Sequence, residues 1–287
     1  MANKKIRITC DSICDLSPAL IEKYDIRVNP LFIVMHDRPL ADSTEVTPDD
    51  LFDYTEATGR LPTTTAPNVQ NYIDFFSPLL AEDCAIIHFT ISASMSTSFN
   101  NARLAASELS NVYIIDSKNL STGSGLLVLR AAEMAGSGME AGEIAAKITA
   151  LTDYVDASFV VDTLEYLHKG GRCSAVAKFG ANLLKLKPCI EVRNGAMGVA
   201  RKYRGRLSDV LVEYAGDQLK NPEDIDTGRI FITHTGCDAE TVARVADKVQ
   251  SLIHFDEVIE TRAGCTISSH CGPGTLGVLF FRKTPLR

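Results

Sequence analysis

Short apolar runs alternate with amphipathic stretches through the first half of the chain. Ile6–Cys10, Val28–Met35, Cys84–Phe89 and Val112–Asp116 are dense in β-branched and aromatic residues and predict strands. The segments between them carry helix punctuation. Thr47-Pro48-Asp49-Asp50 supplies a hydroxyl cap, a proline at the first helical position and acids in the first turn, and Asn68 and Ser94 or Ser96 suit further caps. Leu126–Ala135 and Ala141–Val155 continue as helices. Alternation of this kind predicts a parallel sheet flanked by helices.

From residue 158 the texture changes. Phe159–Asp162, Cys189–Arg193, Met197–Lys202, Arg229–His234, Glu257–Thr261 and Leu276–Arg282 read as strands, and Asn194-Gly195 between two of them is a hairpin turn. Part of this second sheet is therefore expected to be antiparallel. Helices at about Lys178–Lys187, Ser208–Leu219 and Ala239–Ile253 would cover one face. The predicted class is α/β with two domains, 1–155 and 156–287, and the cleft between them is the expected ligand site.

Composition narrows the functional classes. The chain has 287 residues and a net charge of -7; residues 1–150 hold 11 basic and 19 acidic side chains, the remainder 18 and 17. That balance argues against bulk nucleic-acid binding. No apolar run is long enough to cross a bilayer, and Met1-Ala-Asn-Lys-Lys leads straight into a strand, so a cytoplasmic location is expected. Eight scattered cysteines imply no disulfide framework. His234, Cys237, Cys265, His270 and Cys271 are metal-ligand types without the paired spacing of a zinc site, so no metal is expected. Gly123-Ser124-Gly125 lacks the third glycine of a dinucleotide fingerprint, and no cofactor is expected either.

Hydroxyl residues concentrate in Thr63-Thr64-Thr65 and in Ser92 to Ser98. Each cluster is placed where a loop enters a helix, ready to cap it or to offer donors to an anion. Lys169-Gly170-Gly171-Arg172 fits either a helix C-cap or a guanidinium brought to a carboxylate or phosphate. His270 is expected in a Gly/Pro loop before the last strand. Arg193, Arg201, Lys202, Arg204 and Arg206 form a basic run with no acid between Glu191 and Asp209; it suits a solvated hairpin or a docking patch for an acidic partner or membrane surface.

Taken together, these segments resemble the DegV family. The resemblance rests on Asp11-Ser12 with Asp15-Leu16, Thr64-Thr65-Ala66-Pro67, Ile91-Ser92 through Met95-Ser96, Asp116-Ser117, Ser121 to Gly125, Leu164 to Arg172, and His270-Cys271-Gly272-Pro273-Gly274 followed by Leu276-Gly277. It implies a carrier that binds one long-chain fatty acid and presents the carboxylate to a separate ATP-dependent fatty acid kinase subunit, which makes acyl phosphate for phospholipid synthesis. It further implies that Thr64 and Ser96 hold the carboxylate, with Thr65 adjacent and Arg172 and His270 as nearby cationic or donor groups. The chain itself would lack catalysis. A buried acyl chain gains up to about 0.8 kcal/mol per methylene, whereas its carboxylate needs donors. Leu183, Leu184, Leu186, Phe159 and Leu276 are apolar enough to line the tunnel, and equally suited to ordinary core.

Two rival readings stand beside this one. A serine-dependent hydrolase or acyltransferase would use Ser96 as nucleophile and His270 as base, which requires the two side chains to meet. A regulatory or interaction module would bind no lipid at all.

Overall fold

The structure is a computed structural model that describes residues 4–173 and 186–286. Its first half comprises β1 (Lys5–Asp11), α1 (Pro18–Lys23), β2 (Arg27–Asn29), β3 (Phe32–Met35), β4 (Arg38–Ala41), α2 (Pro48–Thr58), β5 (Thr63–Thr65), α3 (Val69–Leu80), β6 (Cys84–Thr90), α4 (Ser98–Ser107), β7 (Val112–Asp116), α5 (Ser121–Gly136) and α6 (Ala141–Leu151). Strands β2, β1, β6 and β7 form a parallel sheet in that order. Every residue of β6 is buried, as a central parallel strand covered on both faces requires. Thr47 and Asn68 start α2 and α3 with reciprocal capping boxes.

The second half comprises β8 (Val155–Val160), α7 (Glu165–Gly170), β9 (Lys187–Arg193), β10 (Ala196–Tyr203), α8 (Leu207–Gln218), β11 (Ile225–His234), α9 (Ala239–Leu252), β12 (Glu257–Arg262), α10 (Cys265–Cys271) and β13 (Leu276–Arg282). The six-stranded sheet runs β10-β9-β8-β13-β11-β12, antiparallel except for β11 with β12. Alternation along its strands divides its apolar side chains. Ile230, Ile232, Val278 and Phe280 pack under α8 and α9, while Phe231, Leu279 and Phe281 join the core around α5. Both expected sheet types, parallel and mixed, are present.

Helix α5 lies between the two sheets, buried from Ser121 to Leu129. Its start five residues before the expected Leu126 has a packing reason: a Cβ on Gly125 would stand 2.8 Å from the Cys14 carbonyl oxygen. The small residues at 121–125 thus let α5 approach the loop after β1. A second difference is the expected strand Val28–Met35, which breaks at Pro30. Proline lacks the N–H a ladder needs, so β2 stays in the parallel sheet and β3 leaves it. Strand β3 pairs antiparallel with β4 and β5 in a small third sheet that periodicity did not predict. Of the helix expected at Lys178–Lys187, residues 178–185 lie outside the described residues, and Lys187 opens β9.

Candidate functional site

The Thr63–Thr65 cluster is a strand rather than a helix entry. β-Branched residues suit it, and its pairing with β3 places Thr64 opposite Ile33. Thr64 Oγ1 lies 2.9 Å from His270 Nε2. His270 in turn sits in the last turn of α10 instead of a loop. What holds so short a helix comes from the far end of the chain. Buried Asp42 accepts from Cys265 N at 2.9 Å, Thr266 N at 3.1 Å and Thr266 Oγ1 at 2.6 Å, and also from Ser12 and Ser43 hydroxyls, both at 3.0 Å. Asp15 takes Gly264 N at 2.8 Å and Ser121 Oγ at 2.5 Å. The two carboxylates satisfy amide groups that the start of a helix leaves unpaired.

Burial, and then the charge of Arg172, push the His270 imidazole down to about 4, so it is neutral near pH 7. A neutral ring carries one proton. Its Nδ1 is enclosed with no partner among the described residues, so a proton there would be an orphaned donor, whereas a proton on Nε2 is donated to Thr64. The second tautomer is favoured, and it turns the Thr64 hydroxyl proton away from the ring. His270 therefore acts as a neutral donor rather than the cation that was one option in the sequence.

Ser96 follows a tight turn in which the amides of Met95 and Ser96 donate to the Ser92 carbonyl. Neither Ser94 nor Ser96 caps α4, whose N-cap is Thr97. Ser96 Oγ accepts from Ser98 N at 3.2 Å and lies 3.0 Å from Ser98 Oγ. Ser92 ties the turn to the second half of the chain by donating to the Gly195 carbonyl, 2.6 Å away, at the tip of the β9–β10 hairpin.

At the end of α7 the C-cap reading holds. Gly171 closes the helix in the left-handed region with φ 67°, and Arg172 beyond it donates to the Gly170 carbonyl at 2.8 Å while edging the same cavity as Thr64. Gly170 is required by contact, since a Cβ there would overlap His270 Nδ1. Thr64, Thr65, Ser96, Arg172 and His270 thus converge on one cavity. Its apolar wall is Leu31, Ile91, Met95, Leu120, Leu167, Met197 and Ile267, and the space they enclose is about 50 Å³. Of the expected lining, Phe159, Leu186 and Leu276 are not among the residues around this cavity, and Leu183 and Leu184 lie outside the described residues. A larger cleft of about 1,000 Å³ opens beyond the start of α10, lined by Asp15, Asp42, Leu16, Ile26 and Arg262 among others.

The basic run is divided. Arg193 pairs with buried Asp156 at 3.2 Å and, two residues along the same face of β9, with Glu191 at 3.1 Å. Arg201 pairs with Asp217 and lies over the Tyr203 ring at 5.3 Å. Arg204 and Arg206 are exposed, as is Lys202. Sequence reasoning missed Asp42 as the anchor of α10, as it missed β4, the strand that Asp42 follows.

Hydroxyls, a guanidinium and an imidazole thus share one apolar cavity, a ligand-binding rather than a nucleotide-loop architecture. The sequence model of the DegV family, described as an uncharacterised protein family, matches residues 5–283, and the chain belongs to that family. It is 31% identical to a fatty acid-binding protein of Thermotoga maritima, covering 95% of this chain and 96% of that one. Among solved structures, a DegV family protein of Thermus thermophilus described for its fatty acid binding superposes with a TM-score of 0.90 at 28% identity, covering 97% of this chain and 99% of that one. A stearic acid-binding protein of Eubacterium ventriosum gives 0.85 at 26% identity, with 97% and 98% covered. No helix among the described residues is long and apolar enough to cross a membrane.

Proposed function

We propose that this chain binds one long-chain fatty acid, holding the carboxylate between Thr64 and Ser96 and the acyl chain against Met95, Met197, Leu120 and Ile267. The observation that carries this reading is the pair of hydroxyls, each backed by another donor, lining one apolar cavity. A buried carboxylate needs such donors, and the guanidinium of Arg172 adds a charge beside them. The names of the Thermotoga and Thermus relatives support the same ligand. Small-molecule sites ordinarily measure roughly 300–1,000 Å³, so admitting an acyl chain requires the wall around the 50 Å³ space to part. The two methionines are its most adaptable members.

The carboxylate is then presented to a separate ATP-dependent kinase subunit, with Lys202, Arg204 and Arg206 on the docking face and transient membrane contact for exchange. This chain contributes no catalysis: His270 Nε2 is committed to Thr64, and Ser96 bonds Ser98 rather than an imidazole, which disfavours a serine nucleophile. The division into domains at residues 155 and 156 belongs to the same proposal and follows the start of β8. Native mass spectrometry of gently purified protein tests the ligand. One fatty acid per chain is expected; an apo mass that persists after incubation with long-chain acids overturns the reading.

A further inference from the structure

Thr64 and His270 come from opposite ends of the chain, yet one closed circuit of contacts joins them. Thr64 stands on β5, at one edge of the small sheet, and Asp42 follows β4, at the other edge. Strand β3 lies between, with Phe32 opposite both Ala41 and Thr65, so the two edge strands are about 9.6 Å apart. Helix α10 has much the same reach. It rises about 7.5 Å from Cys265 to His270 and touches both β3 and β5. Its amino end is fastened to Asp42 through Cys265 N, Thr266 N and Thr266 Oγ1, and its last turn meets Thr64 through His270 Nε2. Cys265 also enters the core of the small sheet beside Ile33, Met35, Val46 and Leu51, and its thiol donates to the Val46 carbonyl at 3.2 Å.

The chemistry at Asp42 suits a carboxylate and little else. It is buried, and every group bonded to its two oxygens is a donor: the Ser43 hydroxyl and Cys265 N at Oδ1, the Ser12 hydroxyl, Thr266 N and Thr266 Oγ1 at Oδ2. An asparagine would turn an NH2 group toward donors on one side or the other. Asp15 also holds α10, through Gly264 N, but it lies in the turn after β1 and not on the small sheet. Of the two carboxylates, Asp42 is the one that ties the helix carrying His270 to the sheet carrying Thr64. Where that tie sets the helix decides whether Nε2 reaches the Thr64 oxygen and turns the hydroxyl proton away from the ring.

We propose that Asp42 is a positioning residue of the head-group site: it fixes α10 against the small sheet so that His270 Nε2 meets the Thr64 oxygen and the Thr64 proton is left for a carboxylate. The proposal rests on the carboxylate reading of Thr64 given above.

The test joins two readouts on the full chain, laurate affinity by displacement of a fluorescent fatty acid and the His270 ring tautomer by nitrogen-15 NMR. Wild type shows the Nε2–H form. Asp42→Asn gives a mixture of tautomers and binds laurate roughly tenfold more weakly, the scale of one lost hydrogen bond to a charged group. In a Thr64→Val background, Asp42→Asn adds no further loss. Ser43→Ala removes a donor to the same carboxylate that does not belong to α10, and leaves both readouts as in wild type. Damage that merely loosens the fold would weaken laurate with or without the Thr64 hydroxyl, and that result overturns the assignment, as does an equal loss in Ser43→Ala. Wild-type chain that takes up no laurate overturns the head-group reading and this proposal with it. Wild-type chain that binds laurate, with a folded Asp42→Asn that keeps wild-type affinity or the Nε2–H form alone, overturns this proposal only. Should Asp42→Asn fail to fold, Thr266→Val, which keeps the side-chain shape and removes the 2.6 Å bond, goes through the same comparison, and unchanged laurate affinity overturns the assignment.

Discussion

Replacing His270 with glutamine should change the pH dependence of stability more than stability itself. The native ring titrates at about 4, against an ordinary value near 6.5 in the unfolded chain. Between those values the unfolded state holds the extra proton, so the histidine's contribution to stability is full above about pH 6.5 and is lost as pH falls. Integrating the two titrations gives a loss of about 2 kcal/mol between about pH 7 and about pH 5. Glutamine keeps an amide donor for Thr64 and removes the titration. Urea unfolding of wild type and His270→Gln at both pH values should therefore show the variant gaining about 2 kcal/mol relative to wild type on acidification. Equal pH dependence in the two proteins would mean that the ring is solvated and titrates normally, and the neutral-donor role of His270 would fall with it.

Asp15 should show the opposite sign. Burial raises its carboxyl to about 7, so the native state holds the extra proton and stability is lost as pH rises; Asp15→Asn should gain about 2 kcal/mol relative to wild type between about pH 5 and about pH 7 in the same unfolding assay. Gly170→Ala forces a methyl into His270 and should weaken fatty acid binding while costing about 1–3 kcal/mol of stability, read by displacement titration and thermal unfolding; wild-type affinity in a folded variant would refute the contact. Reversing Arg204 and Arg206 should slow kinase-coupled acyl phosphate formation with lipid affinity intact, since rim charges act mainly on encounter. Equal turnover would remove them from the docking face.

What the sequence made legible was local. The caps at Thr47 and Asn68, the Asn194-Gly195 turn and the apolar density of β6 each depend on neighbours a few residues away, and each formed as expected. Thr64, Ser96, Arg172 and His270 could be singled out as chemical types near glycine or helix signals. Their meeting was implied only by the family resemblance, because no local pattern carries contacts that span the whole chain. Helix α10 is the clearest case. Cys-Thr-Ile-Ser-Ser-His-Cys contains few strong helix formers, and the groups that fix its amino end are Asp42 and Asp15, more than two hundred residues earlier. The small sheet of β3, β4 and β5 was missed for a different reason, since the expected strand Val28–Met35 was carried across Asn29-Pro30, where β2 ends and the chain leaves the parallel sheet. The cavity wall is drawn from β3's approach, the Ser92 turn, α5's entry and α10, and no periodicity unites those positions.

The most direct test of the head-group assignment is a crystal structure of the chain with laurate bound. The carboxylate is expected within hydrogen-bonding distance of both Thr64 Oγ1 and Ser96 Oγ, with the acyl chain between Met95 and Met197. A laurate seated instead in the larger cleft beside Asp15 and Asp42, or with its carboxylate contacting neither hydroxyl, would contradict it.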